Sequence, residues 1–154
     1  MTAPERWFED FNPGDVFEFG DYLMTEAAIL EFAGEFDPQA FHTDAAAAKE
    51  SIFGGLIASG WHTCGAAMRM MVEGYIPANA SLGSPGIDEL RWVKPVRPGD
   101  RLRMRVTVLE SVPSRSKPDR GVVKSLSETL NQDGDVVMTS KGMVMYQRRP
   151  GSDA

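Results

Sequence analysis

The 154-residue sequence predicts an α+β domain in which an antiparallel sheet of about five strands wraps around one long buried helix. Two observations predict this class. Apolar residues recur at helical spacing over residues 60–75, and from Arg101 onward they alternate with polar residues at the spacing of strands. The turn sequence NQDGD at 131–135 then joins two such strands as a hairpin.

The first third of the chain predicts one strand and two helices. Residues 7–19 combine a Pro-Gly turn with a short aromatic run, which is typical of a turn followed by a strand. Thr25 is a good N-cap for an apolar-striped helix over 25–36, which Gly34 and the Pro after Asp37 end. An Ala-rich helix is expected over 43–51, and residues 35–44 are expected to include a non-helical turn.

The long helix over 60–75 is apolar on most sides, so we expect other structure to surround it. Its apolar face is predicted from the residues at helical spacing, which are Trp61, Cys64, Met68, Met71, Val72 and Tyr75. Core packing explains this stripe better than a cofactor site.

Four strands are predicted after the helix, at 87–96, 101–108, 121–130 and 135–148, with a polar loop at 111–121. About five strands around one helix leave an exposed edge and a thin core. We therefore expect a homodimer or a higher homo-oligomer.

Composition narrows the function classes. A net charge of −6 and a pI near 4.9 argue against a nucleic-acid partner, and no apolar run approaches a membrane span. One cysteine and two histidines make a zinc site improbable and fit a cytoplasmic protein without a signal peptide. The length predicts a single domain over 1–154, with flexible ends at 1–6 and 149–154.

The stretch EFDPQAFHTD at 35–44 carries a candidate catalytic pair, Asp37 and His42. An Asp before Pro is commonly a cap, and an isolated His is commonly structural. However, both residues lie on one short segment between helices, so their side chains could converge. Gly60 follows in a Gly-rich turn that begins the long helix, where unpaired amides with partial positive charge suit an oxyanion.

These residues resemble the signature of the MaoC-like, R-specific enoyl-CoA hydratases, a family with the hot-dog fold. Asp37 and His42 match the Asp and His of that motif at the same spacing, and Gly60 matches the Gly of the helix start. The segment VRPGDRL at 96–102 also resembles the family's turn into a late strand. The likeness covers nearly the whole chain and is densest over 34–61.

The chain departs from the family motif at several positions. Gln39 stands where Asn is usual, Ala40 replaces Pro, Phe41 replaces an aliphatic residue, and Ser59 replaces His. Gln reaches one methylene farther than Asn, so its hydrogen bond to the pair must be repositioned.

The resemblance implies reversible R-specific addition of water to a trans-2-enoyl-CoA, in fatty acid metabolism. Asp37 would be the base, His42 the positioner and proton donor, and the Gly60 amide the donor to the thioester oxygen, although Asp37 and His42 could exchange roles. Gln39 would orient the pair, and Ser59 would contact the water or the thioester. No cofactor is expected beyond the coenzyme A of the substrate.

Coenzyme A phosphates require cations, and candidates cluster in RWVKPVRPGDR, namely Arg91, Lys94, Arg97 and Arg101. A solvated strand face explains each of them individually just as well. In the family the site lies at a dimer interface, so the partner subunit would complete the tunnel.

Two other functions remain open, a hot-dog acyl-CoA thioesterase and a non-catalytic acyl-CoA-binding module. The close spacing of Asp37 and His42 favours hydration. His62 and Cys64 could suggest a nucleophile and base, but their position on the buried helix favours packing.

Overall fold

The computed structural model describes residues 2–152 and has one five-stranded antiparallel sheet in the order β1-β3-β4-β5-β2. The strands are β1 (Val16–Leu23), β2 (Ile87–Trp92), β3 (Arg101–Pro113), β4 (Arg120–Leu130) and β5 (Val136–Gln147). The helices are a 3-10 helix (Phe8–Asp10), α1 (Glu26–Phe36), α2 (Ala40–Thr43), α3 (Ala45–Lys49) and α4 (Gly60–Gly74). This confirms the predicted α+β class.

Strand β3 shows how the sequence pattern becomes the core. Its alternate residues Leu102, Met104, Val106 and Val108 are each at most 1% exposed. The intervening arginines lie on the other face, where Arg105 pairs with Glu128 of β4 at 3.0 Å. The alternation therefore separates an apolar face, which packs toward α4, from a charged face.

Strand β1 bends where it passes α4. Gly20 has φ +90, and the pairing register with β3 shifts between Phe19 and Tyr22. A Cβ at Gly20 would lie 2.6 Å from the sulfur of Met70. The glycine therefore supplies both the left-handed backbone conformation and the room that α4 needs against the sheet.

The predicted apolar face of α4 is wrong in part. Trp61, Met68 and Val72 are 59%, 53% and 54% exposed. The face that packs into the fold instead carries smaller or polar side chains, which are His62, Thr63, Ala66, Ala67 and Met70. Because Ala66 and Ala67 are small, the helix axis can approach the sheet closely, and the larger apolar residues point outward.

Four further features differ from the prediction. The segment around His42 is helical, because α2 spans Ala40–Thr43, and the expected helix over 43–51 is the shorter α3. Asp44 separates the two by accepting hydrogen bonds from the amides of Ala46 and Ala47, which caps α3. The polar loop at 111–121 is shorter than expected because β3 and β4 pair as far as Pro113 and Gly121. Strand β2 ends at Trp92 instead of Val96.

The two ends of the chain meet. Glu9 accepts hydrogen bonds from the Arg148 side chain, the Arg149 amide and the Ser152 hydroxyl, each at 3.0 Å. Met1, Asp153 and Ala154 lie outside the described residues, and flexibility of the ends stays a prediction. Over residues 2–152, no helix is long and apolar enough to cross a membrane.

Candidate active site

Asp37 and His42 are placed by the ends of two helices. Asp37 follows the last residue of α1, and its amide still donates to the Ala33 carbonyl at 2.9 Å. Pro38 prevents α1 from continuing in the same direction. One residue later Gln39 caps α2, whose third residue is His42. The single turn of α2 brings the imidazole back toward the carboxylate.

The distance between Asp37 Oδ2 and His42 Nε2 is 3.3 Å. On the other side of the ring, His42 Nδ1 lies 2.8 Å from the Ile57 carbonyl oxygen. A carbonyl only accepts, so Nδ1 carries a proton and donates. Nε2 is therefore the atom that exchanges protons, and it faces the Asp37 carboxylate. The ring is 5% exposed, so its orientation is held by packing as well.

Two side chains donate to the Asp37 carboxylate. The Gln39 amide donates to Oδ1 and the Ser59 hydroxyl donates to Oδ2, both at 2.7 Å. The pKa of Asp37 is lowered, and the Gln39 hydrogen bond is the largest cause. Partial burial acts in the opposite direction and raises this pKa. The Ser59 hydrogen bond and the charge of His42 lower the pKa further. Asp37 is consequently a carboxylate at neutral pH.

Ser59 links the pair to the start of α4. Its side chain is the N-cap, accepting from the Trp61 amide at 3.3 Å while donating to Asp37. It is fully buried and does not line the cleft beside the pair. Its observed contacts are therefore with Asp37 and the helix, and a contact with the water or the thioester stays a prediction.

Gly60 begins α4, and its amide has no internal partner within residues 2–152. The first amides of a helix are unpaired by geometry and carry the positive end of the helix dipole. Gly60 also lines the same cleft as Asp37 and His42. The structure thus brings together the three residues that the sequence singled out as catalytic candidates.

The cleft has a volume of about 420 Å³. Buried residues form its floor: Ile57, Ala58, Thr63, Val96 and Val137. More exposed residues surround the mouth: Gln39, Trp61, Trp92, Lys94 and Pro95. An apolar floor under a carboxylate, an imidazole and a free amide suits an apolar group that carries one reactive polar function.

The Trp92 indole packs against Gly60. A Cβ at Gly60 would lie 2.3 Å from Cε2 of the Trp92 indole. The indole also meets Trp61 edge-on, with ring centroids 5.3 Å apart. Glycine is therefore required here by the close approach of an aromatic ring, in addition to the access it leaves for a ligand.

The four candidate cations are not gathered at one place. Lys94 lines the cleft and pairs with Asp135 at 2.7 Å. Arg97 donates to the carbonyl of Phe53, a residue of the cleft wall, at 2.6 Å. Arg91 lies outside the cleft lining and pairs with Glu89, and Arg101 pairs with Asp21. Only Lys94 and Arg97 lie near the mouth.

His62 and Cys64 pack, as predicted. His62 is 7% exposed, stacks on Phe32, and lies 3.3 Å from the Tyr22 hydroxyl. Burial lowers the pKa of His62 and raises the pKa of the Cys64 thiol, so the first is neutral and the second is protonated at neutral pH. Neither lines the cleft that contains Asp37.

Three features of the site were missed from the sequence. The Ile57 carbonyl orients His42, Trp92 covers Gly60, and Thr63 supplies a hydroxyl to the floor. A backbone carbonyl carries no signal in a sequence. Thr63 is a polar residue in the first turn of a largely apolar helix, which is a signal that could have been used.

Comparison with known proteins agrees with this fold. A five-stranded antiparallel sheet around α4 is the hot-dog fold. A conserved hypothetical protein of Mycobacterium tuberculosis with a double hot-dog fold superposes with a TM-score of 0.83 at 16% identity, over 99% of this chain and 46% of that one. Residues 10–131 match the MaoC-like domain. The chain belongs to the MaoC-like domain family.

Individual relatives share the fold or parts of the sequence. A MaoC-like dehydratase structure from Rhodospirillum rubrum has 48% identity and a TM-score of 0.88, covering 95% of this chain and 99% of that one. The uncharacterized protein YdeM of Bacillus subtilis is 31% identical over 91% of this chain and 98% of its own length. Mesaconyl-CoA hydratase of Cereibacter sphaeroides is 41% identical over 42% of this chain, which is 18% of that protein.

Proposed function

We propose that this protein is a hydro-lyase that adds water reversibly and R-specifically to a trans-2-enoyl-CoA. The observation that carries the proposal is the 3.3 Å approach of the Asp37 carboxylate to His42 Nε2, in a cleft that also holds the free Gly60 amide. Membership of a family that includes a MaoC-like dehydratase supports water addition or removal as the reaction class.

A water molecule held between Asp37 Oδ2 and His42 Nε2 would be the nucleophile. As its oxygen bonds to Cβ of the enoyl group, Asp37 takes one of its protons, because Asp37 is ionised at neutral pH. Protonated His42 gives the Nε2 proton to Cα from the same side. The proton on Asp37 then returns to Nε2 across 3.3 Å, which restores the pair.

Negative charge builds on the thioester oxygen while Cβ is attacked. The Gly60 amide, at the positive end of α4, would donate to that oxygen. Gln39 and Ser59 would act through Asp37, since both donate to its carboxylate. Gln39 is exposed and lines the cleft, so it also lies within reach of a bound thioester.

Lys94 and Arg97 are the cations proposed for the coenzyme A phosphates, because both lie at the mouth. Lys94 must exchange Asp135 for a phosphate to take this role. Arg91 pairs with Glu89 and does not line the cleft, so its contact with coenzyme A stays a prediction.

A second copy of the chain is proposed to cover the exposed apolar face of α4. A groove of about 290 Å³ runs between Met68, Met71 and Val72 of α4 and small residues of β4 and β5, and Ile87 at the start of β2 borders it. Trp61 at the cleft mouth and Met68 are both more than half exposed. Large exposed apolar surface of this kind marks an interaction site. The partner subunit would thereby complete the wall of the cleft.

A cytoplasmic location and a role in fatty acid metabolism stay predictions.

The proposal is tested by mixing the protein with a short trans-2-enoyl-CoA and following absorbance of the conjugated thioester together with free thiol. Loss of conjugation without thiol release is the expected result. Thiol release with conjugation retained would instead identify a thioesterase. Tight binding with neither change would identify a binding module.

A further inference from the structure

Thr63 lies on the floor of the cleft with its hydroxyl unused. The residue is 2% exposed and lines the cleft that contains Asp37, His42 and Gly60. Across residues 2–152 the hydroxyl has no hydrogen-bond partner, and it is not among the polar atoms sealed from the surface. A buried hydroxyl that opens into a cleft and lacks a partner is costly unless a ligand or water bonds to it.

The usual structural explanation for a helical threonine fails here. A threonine hydroxyl within a helix commonly donates to the carbonyl four residues earlier, which would be that of Ser59. That carbonyl already accepts from the amides of His62 and Thr63, at 3.0 Å and 3.1 Å. Both of its lone pairs are therefore engaged, and the Thr63 side chain remains free toward the cleft.

Helix geometry places Thr63 on the same face of α4 as Gly60. Residues three apart lie on the same face of a helix, about 5–6 Å apart at their Cβ positions, and side chains lean toward the N-terminus. Two donors that bind one oxygen at about 2.8 Å each must be separated by roughly 4–5 Å. Gly60 and Thr63 both line the cleft from the first turn of α4, which is the arrangement that two donors to one oxygen need.

We propose that the Thr63 hydroxyl is a second donor to the thioester oxygen, acting with the Gly60 amide. This rests on the proposed function for the identity of the ligand. The surrounding floor residues Ala58, Val96 and Val137 are apolar and at most 5% exposed, so the hydroxyl acts where water is excluded and its hydrogen bond is strong. Thr63 touches the reacting group and is thus a catalytic residue.

Replacement of Thr63 by valine keeps the shape and removes the donor. We expect Thr63→Val to lower kcat about 10²-fold with little change in KM, as for loss of one oxyanion donor. Thr63→Ser keeps the hydroxyl and should retain most activity. Thr129→Val is the matched control, because Thr129 is also buried but contacts Met104 away from the cleft.

A spectroscopic measurement separates this role from a merely structural one. Crotonyl-CoA labelled with ¹³C at its carbonyl is bound to Asp37→Asn protein, so that the ligand stays intact. The carbonyl stretch should lie at lower frequency than in free ligand, should return toward the free value in Asp37→Asn/Thr63→Val, and should be restored by Asp37→Asn/Thr63→Ser. An unchanged stretch and unchanged kcat after Thr63→Val would overturn the inference.

The two proposals fail differently. If the wild-type protein hydrates enoyl-CoA but neither readout responds to Thr63→Val, only the role of Thr63 is wrong. If the bound carbonyl stretch depends on Thr63 while the wild-type protein hydrates no enoyl-CoA, the reaction is wrong and the donor role stands.

Discussion

The lowered pKa of Asp37 depends on groups at very different distances along the chain. Gln39 is two residues away, whereas Ser59 is 22 residues away and belongs to α4. Each donates to a different oxygen of the carboxylate, so both donors favour the charged form over the protonated form. The base is in this way kept ready at neutral pH and held against the start of the long helix.

At this scale we predict that Gln39→Met raises the pKa of Asp37, because the Gln39 hydrogen bond is the largest influence that lowers it. The acidic limb of the kcat/KM profile against pH should move to higher pH, since the carboxylate is then protonated sooner as pH falls. Gln132→Met is the matched control, because Gln132 donates to Asp100 outside the cleft. Superimposable acidic limbs for wild type and Gln39→Met would contradict this.

The closeness of Asp37 and His42 could be predicted from their spacing, because they are only five positions apart in the sequence. The orientation of His42 could not, since the Ile57 carbonyl that fixes it lies 15 residues away and has no side-chain signature. The contact of Ser59 with Asp37 could not be predicted either, because a serine before a helix can face either the ligand or the protein. Only the position of Asp37 decides which of these two directions the Ser59 side chain takes.

Helix α4 is the element that joins the fold to the site. Its N-terminus supplies the Gly60 amide, and its Ala66 and Ala67 face the core. Sequence periodicity predicted this helix correctly but assigned Trp61, Met68 and Val72 to the buried face, where the structure exposes them. Both sides of α4 are apolar, so the pattern alone could not tell the side that packs on the sheet from the side left exposed. The alternation in β3, with arginines on one side only, carried no such ambiguity.

At the scale of this element, Gly60→Ala should displace the Trp92 indole, because the new Cβ would lie 2.3 Å from it. We expect kcat/KM to fall about 10²-fold, as for a misplacement of roughly 1 Å in an active site. Indole fluorescence should change together with activity. Gly65→Ala on the same helix meets nothing within 4 Å and is the control. If Gly60→Ala and Gly65→Ala have the same kcat/KM and the same indole fluorescence, the contact between Gly60 and Trp92 does not affect catalysis.

For the whole molecule, we propose that the outward face of α4 determines assembly. We predict a dimer for the wild-type protein and dissociation for Met68→Glu, because the new charge would be buried in an apolar interface. Light scattering after size-exclusion chromatography measures both. Val112→Glu, at a similarly exposed apolar position on β3, should leave the mass unchanged. If the wild-type protein is monomeric, no partner subunit contributes to the cleft wall and the proposed dimer is wrong.

The joined ends make stability depend on pH. Burial by itself raises the pKa of Glu9, but hydrogen bonds from Arg149, Arg148 and Ser152 outweigh it and lower the pKa to about 2 from 4.5. A carboxylate with a lowered folded-state pKa adds stability that is fully present above its unfolded value, 4.5, and is lost as pH falls toward about 2.

Glu9→Gln should therefore lower the free energy of unfolding at pH 7 by about 1–2 kcal/mol. The difference from wild type should shrink as pH falls from 4.5 toward 2. Urea unfolding at fixed protein concentration over this range measures it. Glu31→Gln, on an exposed position of α1, serves as the control. If the difference in free energy of unfolding between wild type and Glu9→Gln stays constant with pH, the lowered pKa of Glu9 is not its cause.

The most direct test of the account compares one turnover of enoyl-CoA by wild type, Asp37→Asn and His42→Ala, with binding of a saturated acyl-CoA measured in parallel. We expect R-3-hydroxyacyl-CoA from the wild type. In each variant the rate should be at least about 10²-fold lower, with binding largely retained. Near-wild-type turnover in either variant would contradict the central claim that Asp37 and His42 together activate the water.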